Sequence, residues 1–258
     1  MESSIILEKS NRIGKITLNR PEKRNAMSPE LVEGMLGALD EVESDEGVKV
    51  VVIAAEGKAF CAGADLAYLQ KMQSFTAEEN LEDSRRLMNL FDRIYNFSKP
   101  VIAQVQGHAL AGGCGLVTVC DFAFTVPDAL FGYTEVRIGF IPALVSVFLQ
   151  EQIGAAKTQE LLLSGELISA EKAAELGIVT SVVEAEFLEK EVQDFAKKLI
   201  ENNSGQAMST TKALLRSLHQ EERQQKLEEA AALNAKSRSH PDCVRGISAF
   251  LNKEKPNW

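Results

Sequence analysis

The sequence of 258 residues predicts an α/β fold, in which a largely parallel sheet precedes a helical C-terminal region. Three observations predict it. Apolar strand-like runs alternate with helical patterns in the first half of the chain, which favours crossover units between parallel strands. Only helical patterns follow residue 184. Two segments, residues 50–66 and 101–116, share one plan: an apolar strand, a loop of small residues and the start of a helix.

The first half of the chain carries clear signals for where elements begin. Ser28 and Pro29 are suited to the N-cap and first position of a helix. Thr76 and Glu79 have capping-box spacing and open a helix that ends before Pro100. Another helix is expected to end near residue 119. Strands are expected at residues 5–7, 14–18, 48–54 and 122–126, and directly after the proline at 100.

The second half of the chain is predicted to be mostly helical, without a low-complexity linker. The apolar spacing in this part follows the helical period, and one short apolar run favours a strand. Helices are expected at residues 155–163, 170–176, 184–202, 207–218, 221–237 and 241–252, with the strand at 178–183.

The loops of the two similar segments form the candidate site. They read AFCAGADL at residues 59–66 and GHALAGGCG at residues 107–115. Glycine and alanine let the backbone approach a ligand closely, and the first N–H groups of a helix lack partners within it. Either loop alone is also explained by tight helix packing. Together they predict two N–H donors that converge on one developing oxyanion.

Charge, cysteine spacing and missing motifs argue against other functions. The formal net charge of −9 disfavours nucleic-acid binding, which needs a basic face. The four cysteines and three histidines lack the spacing of zinc ligands, so a zinc site is not expected. The sequence also lacks a phosphate-binding loop, a dinucleotide fingerprint and a nucleophile elbow.

The same features predict where the protein works. The cysteines are read as free thiols in a reducing compartment. The sequence contains no run of about 18 apolar residues, so we expect no membrane contact. The N-terminal stretch resembles neither a secretory signal nor a transit peptide. We therefore expect a cytoplasmic protein.

Several motifs together resemble the crotonase (enoyl-CoA hydratase/isomerase) superfamily, and the resemblance runs from end to end. Besides the two loops, they are NRPEKRNAM at residues 19–27, CDFAF at 120–124, FGYTEVRIGFIPA at 131–143, LLLSGELISAEKAAELGIV at 161–179 and AFLNKEKPNW at 249–258. The resemblance implies a crotonase-like spiral of ββα units. It implies a core with an acyl-CoA site at residues 1–195 and a helical oligomerisation region at residues 196–258. A homotrimer or a dimer of trimers is expected. The resemblance implies neither a metal nor a redox cofactor, with CoA arriving as part of the substrate.

Carried over residue by residue, the resemblance assigns the oxyanion-hole amides to Ala64 and Gly112 and the acid/base to Glu135. In the family, the two amides hold the thioester carbonyl oxygen while negative charge develops beside it. A carboxyl group among apolar walls has a raised pKa, which suits proton exchange near neutral pH. The resemblance places these residues around the substrate: Lys23, Arg24, Ala26, Ala62, Asp65, Leu66, Gly113 and Tyr133.

The main departure from the family pattern is Gly115, which stands where many hydratases have a second catalytic Glu. Three interpretations remain. The first, which we expect, is a hydratase in which Glu135 carries most of the acid–base work, as in hydratases of the 3-methylglutaconyl-CoA type. The second is a Δ3,Δ2-enoyl-CoA isomerase, which shuttles one proton with one Glu. The third is an acyl-CoA-binding protein without efficient catalysis. His108, Tyr133 and Ser146 are candidates for a polar group that replaces the missing Glu.

Overall fold

The computed structural model describes residues 3–258, except for the side chain of Leu66. Within these residues there are ten strands and eleven α-helices. The strands are β1 (Ile5–Ser10), β2 (Ile13–Leu18), β3 (Val50–Ala55), β4 (Ala59–Cys61), β5 (Val101–Val105), β6 (His108–Leu110), β7 (Phe122–Thr125), β8 (Leu130–Gly132), β9 (Ile168–Ser169) and β10 (Ser181–Val182).

Most helices agree with the predicted spans, although helix α2 was predicted only as a helix start and no span was predicted for helix α5. They are α1 (Pro29–Ser44), α2 (Leu66–Met72), α3 (Ala77–Tyr95), α4 (Gly112–Thr118), α5 (Ala143–Ile153), α6 (Ala155–Ser164), α7 (Ala170–Glu175), α8 (Leu188–Asn202), α9 (Gly205–Ser217), α10 (Gln220–Ser237) and α11 (Pro241–Leu251). Short 3₁₀ helices occupy Pro21–Lys23, Glu135–Ile138 and Ala185–Phe187.

The strands form two sheets, where the sequence predicted one. The larger sheet has the order β1-β2-β3-β5-β7-β10, and it is parallel except for the antiparallel pair of β1 and β2. The smaller sheet has the order β4-β6-β8-β9. Its strands are only two or three residues long, too short to carry a periodic sequence signal. Three of them directly precede the loops that form the site.

Local sequence explains the elements that frame the site. Ser28 caps α1, because its hydroxyl oxygen accepts from the Leu31 N–H at 3.3 Å. Thr76 and Glu79 form both bonds of the predicted capping box at the start of α3. Strand β3 is buried along almost its whole length, as expected for a central parallel strand covered on both faces.

The helical end of the chain packs onto the sheet domain. Helix α10 lies against α3 and α5, and it adds Leu227, Ala230 and Ala231 to the same buried core as the central strands. Helix α11 packs beside α2, where Cys243 and Ile247 join Leu69 in a small separate cluster. The predicted boundary at residue 195, between the acyl-CoA core and the helical oligomerisation region, stays a prediction. Between residues 3 and 258, every helix is too short or too polar to cross a bilayer.

Candidate active site

The two loops of the similar segments lie side by side. Strands β4 and β6 are parallel neighbours, so the loops that follow them leave the smaller sheet on the same side. The contact is between backbones: a Cβ atom added to Gly113 would lie 2.2 Å from the carbonyl oxygen of Cys61. A Cβ atom added to Gly63 would lie 2.9 Å from the Cβ of Ala111. Only glycine at these positions permits so close an approach.

The amides of Ala64 and Gly112 have no hydrogen-bond partner in the described part of the chain. Met27 pairs with the first loop by donating to Gly63 O at 2.7 Å and accepting from Asp65 N at 2.9 Å. The N–H of Ala64 takes no part in this pairing. Gly112 is the first residue of α4, so its N–H has no partner within the helix. Neither amide has an acceptor within residues 3–258, and both residues line one cavity.

The side chain of Asp65 fixes the first loop. One carboxylate oxygen accepts from the backbone N–H groups of Ala67 and Tyr68 at 2.9 and 3.3 Å, which caps α2. The other accepts from Arg20 at 2.9 Å. Arg20 also donates to the Ala26 carbonyl at 2.8 Å. Asp65 therefore holds the loop through contacts within the protein, and Arg20 is a positioning residue that the sequence did not single out.

Ala111 holds the second loop in an unusual conformation. It has φ 50° and ψ −125°, a region that residues with a side chain seldom occupy, and it immediately precedes α4. Its N–H donates to the Gly132 carbonyl at 2.7 Å, which ties the loop to β8. Backbone strain of this kind costs roughly 1–3 kcal/mol and is concentrated at functional sites. The strain accompanies the turn that exposes the Gly112 amide.

The cavity between the two loops has a volume of about 450 Å³. Apolar side chains provide much of its lining, as is usual for a site that binds an organic ligand. Helix α3 contributes Leu87 and Phe91, and α5 contributes Leu144 and Val145. Residues 250–256 at the C-terminus also contribute to the lining, through Phe250, Glu254 and Pro256.

Glu135 places a carboxyl group at this cavity. It begins the 3₁₀ helix after β8. Its Oε2 atom is buried and has no hydrogen-bond partner within residues 3–258. Burial raises the pKa of this carboxyl group from 4.5 to about 7. Arg137, two residues further along the chain, is exposed and makes no salt bridge with Glu135 within residues 3–258. Glu135 can therefore exchange protons near neutral pH.

An apolar wall stands beside Gly115. A Cβ atom added there would lie 3.0 Å from Cζ of Phe91 and 3.5 Å from Cγ2 of Val145. Gly115 and these two side chains are largely shielded from solvent. A side chain at this position would therefore begin in tight contact with the aromatic ring of Phe91.

The three side chains considered as substitutes for the missing Glu have other partners. His108 accepts from the Leu130 N–H through Nδ1 at 3.1 Å. The hydroxyl groups of Tyr133 and Thr118 share a hydrogen bond of 2.7 Å. Ser146 donates to a backbone carbonyl of its own helix at 2.6 Å. All three stand apart from the lining of the cavity described above.

The remaining predicted substrate residues occupy varied places. Ala62 lines the cavity, while Ala26 and Gly113 are buried beneath the loops. Lys23 and Arg24 are exposed at the turn formed by the first 3₁₀ helix. Tyr133 is buried, Asp65 caps α2, and the side chain of Leu66 lies outside the described part of the chain. Their contacts with substrate stay predictions.

One part of the cavity is polar, and the sequence did not reveal it. Five side chains form this polar end, from α2, α3, α10 and the C-cap of α10: Tyr68, Asp83, Arg86, Asn234 and Arg238. Asp83 and Arg86 belong to a charged run on α3 that reads as an ordinary solvated face. Asn234 and Arg238 are about 150 residues away in sequence. Only the packing of α10 against α3 brings the two groups together.

Known proteins are similar to this chain in sequence and in architecture. The profile of the family described as enoyl-CoA hydratase/isomerase matches residues 8–258. The chain is 41% identical over 243 residues to a Thermus thermophilus protein named as an enoyl-CoA hydratase, covering 94% of this chain and 96% of the relative. It is 32% identical over 262 residues to the crotonyl-CoA hydratase of Syntrophomonas wolfei, covering 99% of this chain and 97% of the relative. The crystal structure of an enoyl-CoA hydratase from Mycobacterium avium, 33% identical, matches 100% of both chains with a TM-score of 0.88.

These likenesses confirm the predicted crotonase-like α/β fold, because they extend over nearly the whole chain. They also agree on one class of activity and on acyl-CoA as the kind of substrate. The chain therefore belongs to the enoyl-CoA hydratase/isomerase family of the crotonase superfamily and is an enzyme of the enoyl-CoA hydratase class, a hydro-lyase.

Proposed function

We propose that this enzyme catalyses the reversible hydration of a 2-enoyl-CoA with one carboxyl group as its acid/base. The amides of Ala64 and Gly112 form the oxyanion hole, and Glu135 moves the proton. The observation that carries this proposal is the buried, unpartnered Oε2 of Glu135 in the cavity that both free amides line. CoA enters as part of the substrate, and the reaction needs no further cofactor.

The proposed chemistry follows from where charge develops. Addition of water at C3 of the enoyl group generates an enolate-like thioester, whose oxygen becomes negative. Two fixed N–H donors stabilise that oxygen more in the transition state than in the substrate, and each such donor is worth roughly 3–4 kcal/mol. Glu135 as a carboxylate takes a proton from water, and Glu135 as an acid returns it to C2. A pKa of about 7 makes both forms accessible near neutral pH.

Isomerisation of a 3-enoyl-CoA is the second candidate, and the surroundings of Gly115 favour it. Hydration with two carboxylates would hold water between them, whereas here Phe91 and Val145 occupy the space next to the second position. A one-proton shuttle needs only Glu135 and the oxyanion hole.

A substrate panel tests the proposal. We expect the purified protein to hydrate crotonyl-CoA or the branched 3-methylglutaconyl-CoA faster than it isomerises a 3-enoyl-CoA. The loss or gain of the enoyl thioester absorbance, together with product identification, measures both reactions. Isomerisation without hydration would support the second candidate. The absence of turnover on all three esters, with acyl-CoA still bound, would contradict the proposal.

We also propose a homotrimer or a dimer of trimers. Helix α9 and its C-cap carry three leucines that remain mostly exposed in the single chain: Leu214 at 63%, Leu215 at 62% and Leu218 at 65%. Exposed apolar residues that cluster on one helix are typical of surfaces that another subunit covers. Light scattering at micromolar concentration should give a mass three or six times 28.2 kDa. A monomer mass would contradict the proposal.

A further inference from the structure

The proposed reaction needs the Gly112 amide and the Glu135 carboxyl group at a fixed separation, yet the two residues belong to different elements. Gly112 begins helix α4, whereas Glu135 begins the 3₁₀ helix that follows β8. Reacting groups must be held closely, because a misplacement of about 1 Å can cost roughly 10²-fold in rate. The contacts between α4 and the segment that carries Glu135 therefore set the geometry of the site.

The first of these contacts is a backbone hydrogen bond at the start of α4. The N–H of Ala111, the residue before Gly112, donates to the carbonyl oxygen of Gly132 at 2.7 Å. Gly132 ends β8, three residues before Glu135. This bond holds one end of α4, and a bond at one end of a helix leaves the direction of its axis to other contacts.

The second contact is a buried hydrogen bond between side chains at the opposite end of α4. The hydroxyl oxygens of Tyr133 and Thr118 lie 2.7 Å apart. Thr118 is the last residue of α4, six residues or about 9 Å along the axis from Gly112. Tyr133 is two residues before Glu135. The bond is shielded from water, since Tyr133 is 1% exposed and Thr118 is 3% exposed.

The direction of this bond follows from the other partner of Thr118. The Thr118 hydroxyl donates to the carbonyl oxygen of Cys114 at 2.9 Å, one turn earlier in α4. A hydroxyl group has one hydrogen, so Thr118 accepts the hydrogen bond from Tyr133. In the described chain both side chains stand apart from the lining of the cavity. The pair can therefore act on the site only through the two elements that it joins.

We propose that Tyr133 and Thr118 are positioning residues, whose hydrogen bond sets the orientation of α4 against the segment that carries Glu135. The orientation of α4 in turn sets the direction of the Gly112 N–H. The bonds at Ala111 and at Thr118 hold the helix at two points, and two points define its axis. A hydrogen bond in the low-dielectric core is stronger than one in water, which suits it to this task. The inference rests on the proposed function for the roles of Gly112 and Glu135.

Three substitutions test the bond itself. Tyr133→Phe removes one hydroxyl group, and Thr118→Val replaces the other with a methyl group. Each should lower kcat for hydration by at least about tenfold, part of the 10²-fold that a misplacement of about 1 Å can cost, while a saturated acyl-CoA still binds. Thr118→Ser keeps the hydroxyl and should restore most of the kcat that Thr118→Val loses. Steady-state rates and calorimetry with butyryl-CoA measure the two effects separately.

The double variant shows whether the two hydroxyl groups act together. If they act through one bond, the variant that carries both Tyr133→Phe and Thr118→Val should be no slower than the slower single variant. Effects on kcat that multiply in the double variant would mean that the two side chains act independently, and would overturn the inference. A kcat equal to that of the parent in Tyr133→Phe would also overturn it.

Tyr95→Phe is the matched control for the loss of a buried tyrosine hydroxyl. Tyr95 is buried in α3, its hydroxyl donates to Glu151 Oε2 at 2.6 Å, and in the described chain it is not a lining residue of the cavity. The control loses a hydrogen bond of the same kind away from α4, so its kcat should equal that of the parent. A fall in kcat as large as that of Tyr133→Phe would show a general effect on folding and overturn the assignment.

The infrared carbonyl band of bound butyryl-CoA, isotope-labelled at the thioester, gives a readout that needs no turnover. Hydrogen bonds from the two amides polarise this carbonyl and lower its frequency relative to the free ester. Tyr133→Phe and Thr118→Val should reduce the shift, and Thr118→Ser should keep it. If this pattern appears although the parent hydrates no enoyl-CoA, the positioning inference is supported and the proposed hydration is refuted. An equal shift in the parent and in Tyr133→Phe overturns the inference, whatever the turnover.

Discussion

Glu135→Gln should reduce kcat for hydration by about 10² or more while acyl-CoA binding persists. The substitution keeps the shape of the side chain and removes its ability to take and return a proton, and general acid–base catalysis typically contributes 10²–10⁴-fold. Steady-state hydration rates and calorimetric binding of a saturated acyl-CoA measure the two effects separately. Glu166→Gln is the control, because Glu166 is exposed and is not a lining residue of the cavity. Unchanged turnover in the Glu135 variant would remove Glu135 from the mechanism.

The pH dependence of kcat/KM is a second test of the role of Glu135. With the pKa of Glu135 raised to about 7, the carboxylate form that activates water accumulates as pH rises through 7. The kcat/KM of the parent should therefore rise with a midpoint near pH 7, and the Gln variant should lack this rise.

The stability of the folded state should change with pH in the opposite direction, falling as pH rises. Because folding raises the pKa from 4.5, the charged form destabilises the folded state fully above pH 7 and not below pH 4.5. The variant should be more stable than the parent at pH 8, by at most about 3 kcal/mol.

Gly113→Ala should be the most damaging single methyl addition at the site. The new Cβ would lie 2.2 Å from the Cys61 carbonyl oxygen and 2.8 Å from its carbon, so the backbones of the two loops must separate. Overpacking of this kind costs roughly 1–3 kcal/mol or more. The shift would also displace the neighbouring Gly112 amide, and loss of one oxyanion donor lowers kcat by about 10²–10³. Thermal unfolding and kcat on the same preparation measure both effects.

Gly37→Ala is the matched control for this substitution. Gly37 lies inside α1, and a Cβ atom added there would meet nothing within 4 Å. Alanine is about 1 kcal/mol better than glycine inside a helix, so the control should unfold at a slightly higher temperature with unchanged kcat. If Gly113→Ala instead has the Tm and kcat of the parent, the backbone contact between the loops does not position the oxyanion hole.

The sequence predicted most of the fold because its signals are local. Ser28 and the pair of Thr76 and Glu79 mark helix starts through bonds within one turn, and these bonds are present in the structure. The uninterrupted apolar run of β3 indicates a buried strand without reference to any neighbour. The smaller sheet escaped prediction, since β4, β6 and β8 have three residues each and are defined by their pairing.

For the site, the sequence by itself determined which residues stand at the candidate positions: the small-residue loops around Ala64 and Gly112, Glu135, and Gly115 in place of a second Glu. Their catalytic roles stay predictions. Tertiary structure decided the environment of each. The raised pKa of Glu135 comes from burial, and the wall beside Gly115 comes from Phe91 on another helix. The polar end depends on α10 meeting α3 across about 150 residues of chain. Desolvation and long-range contacts are properties of packing, and no local pattern of residues encodes them.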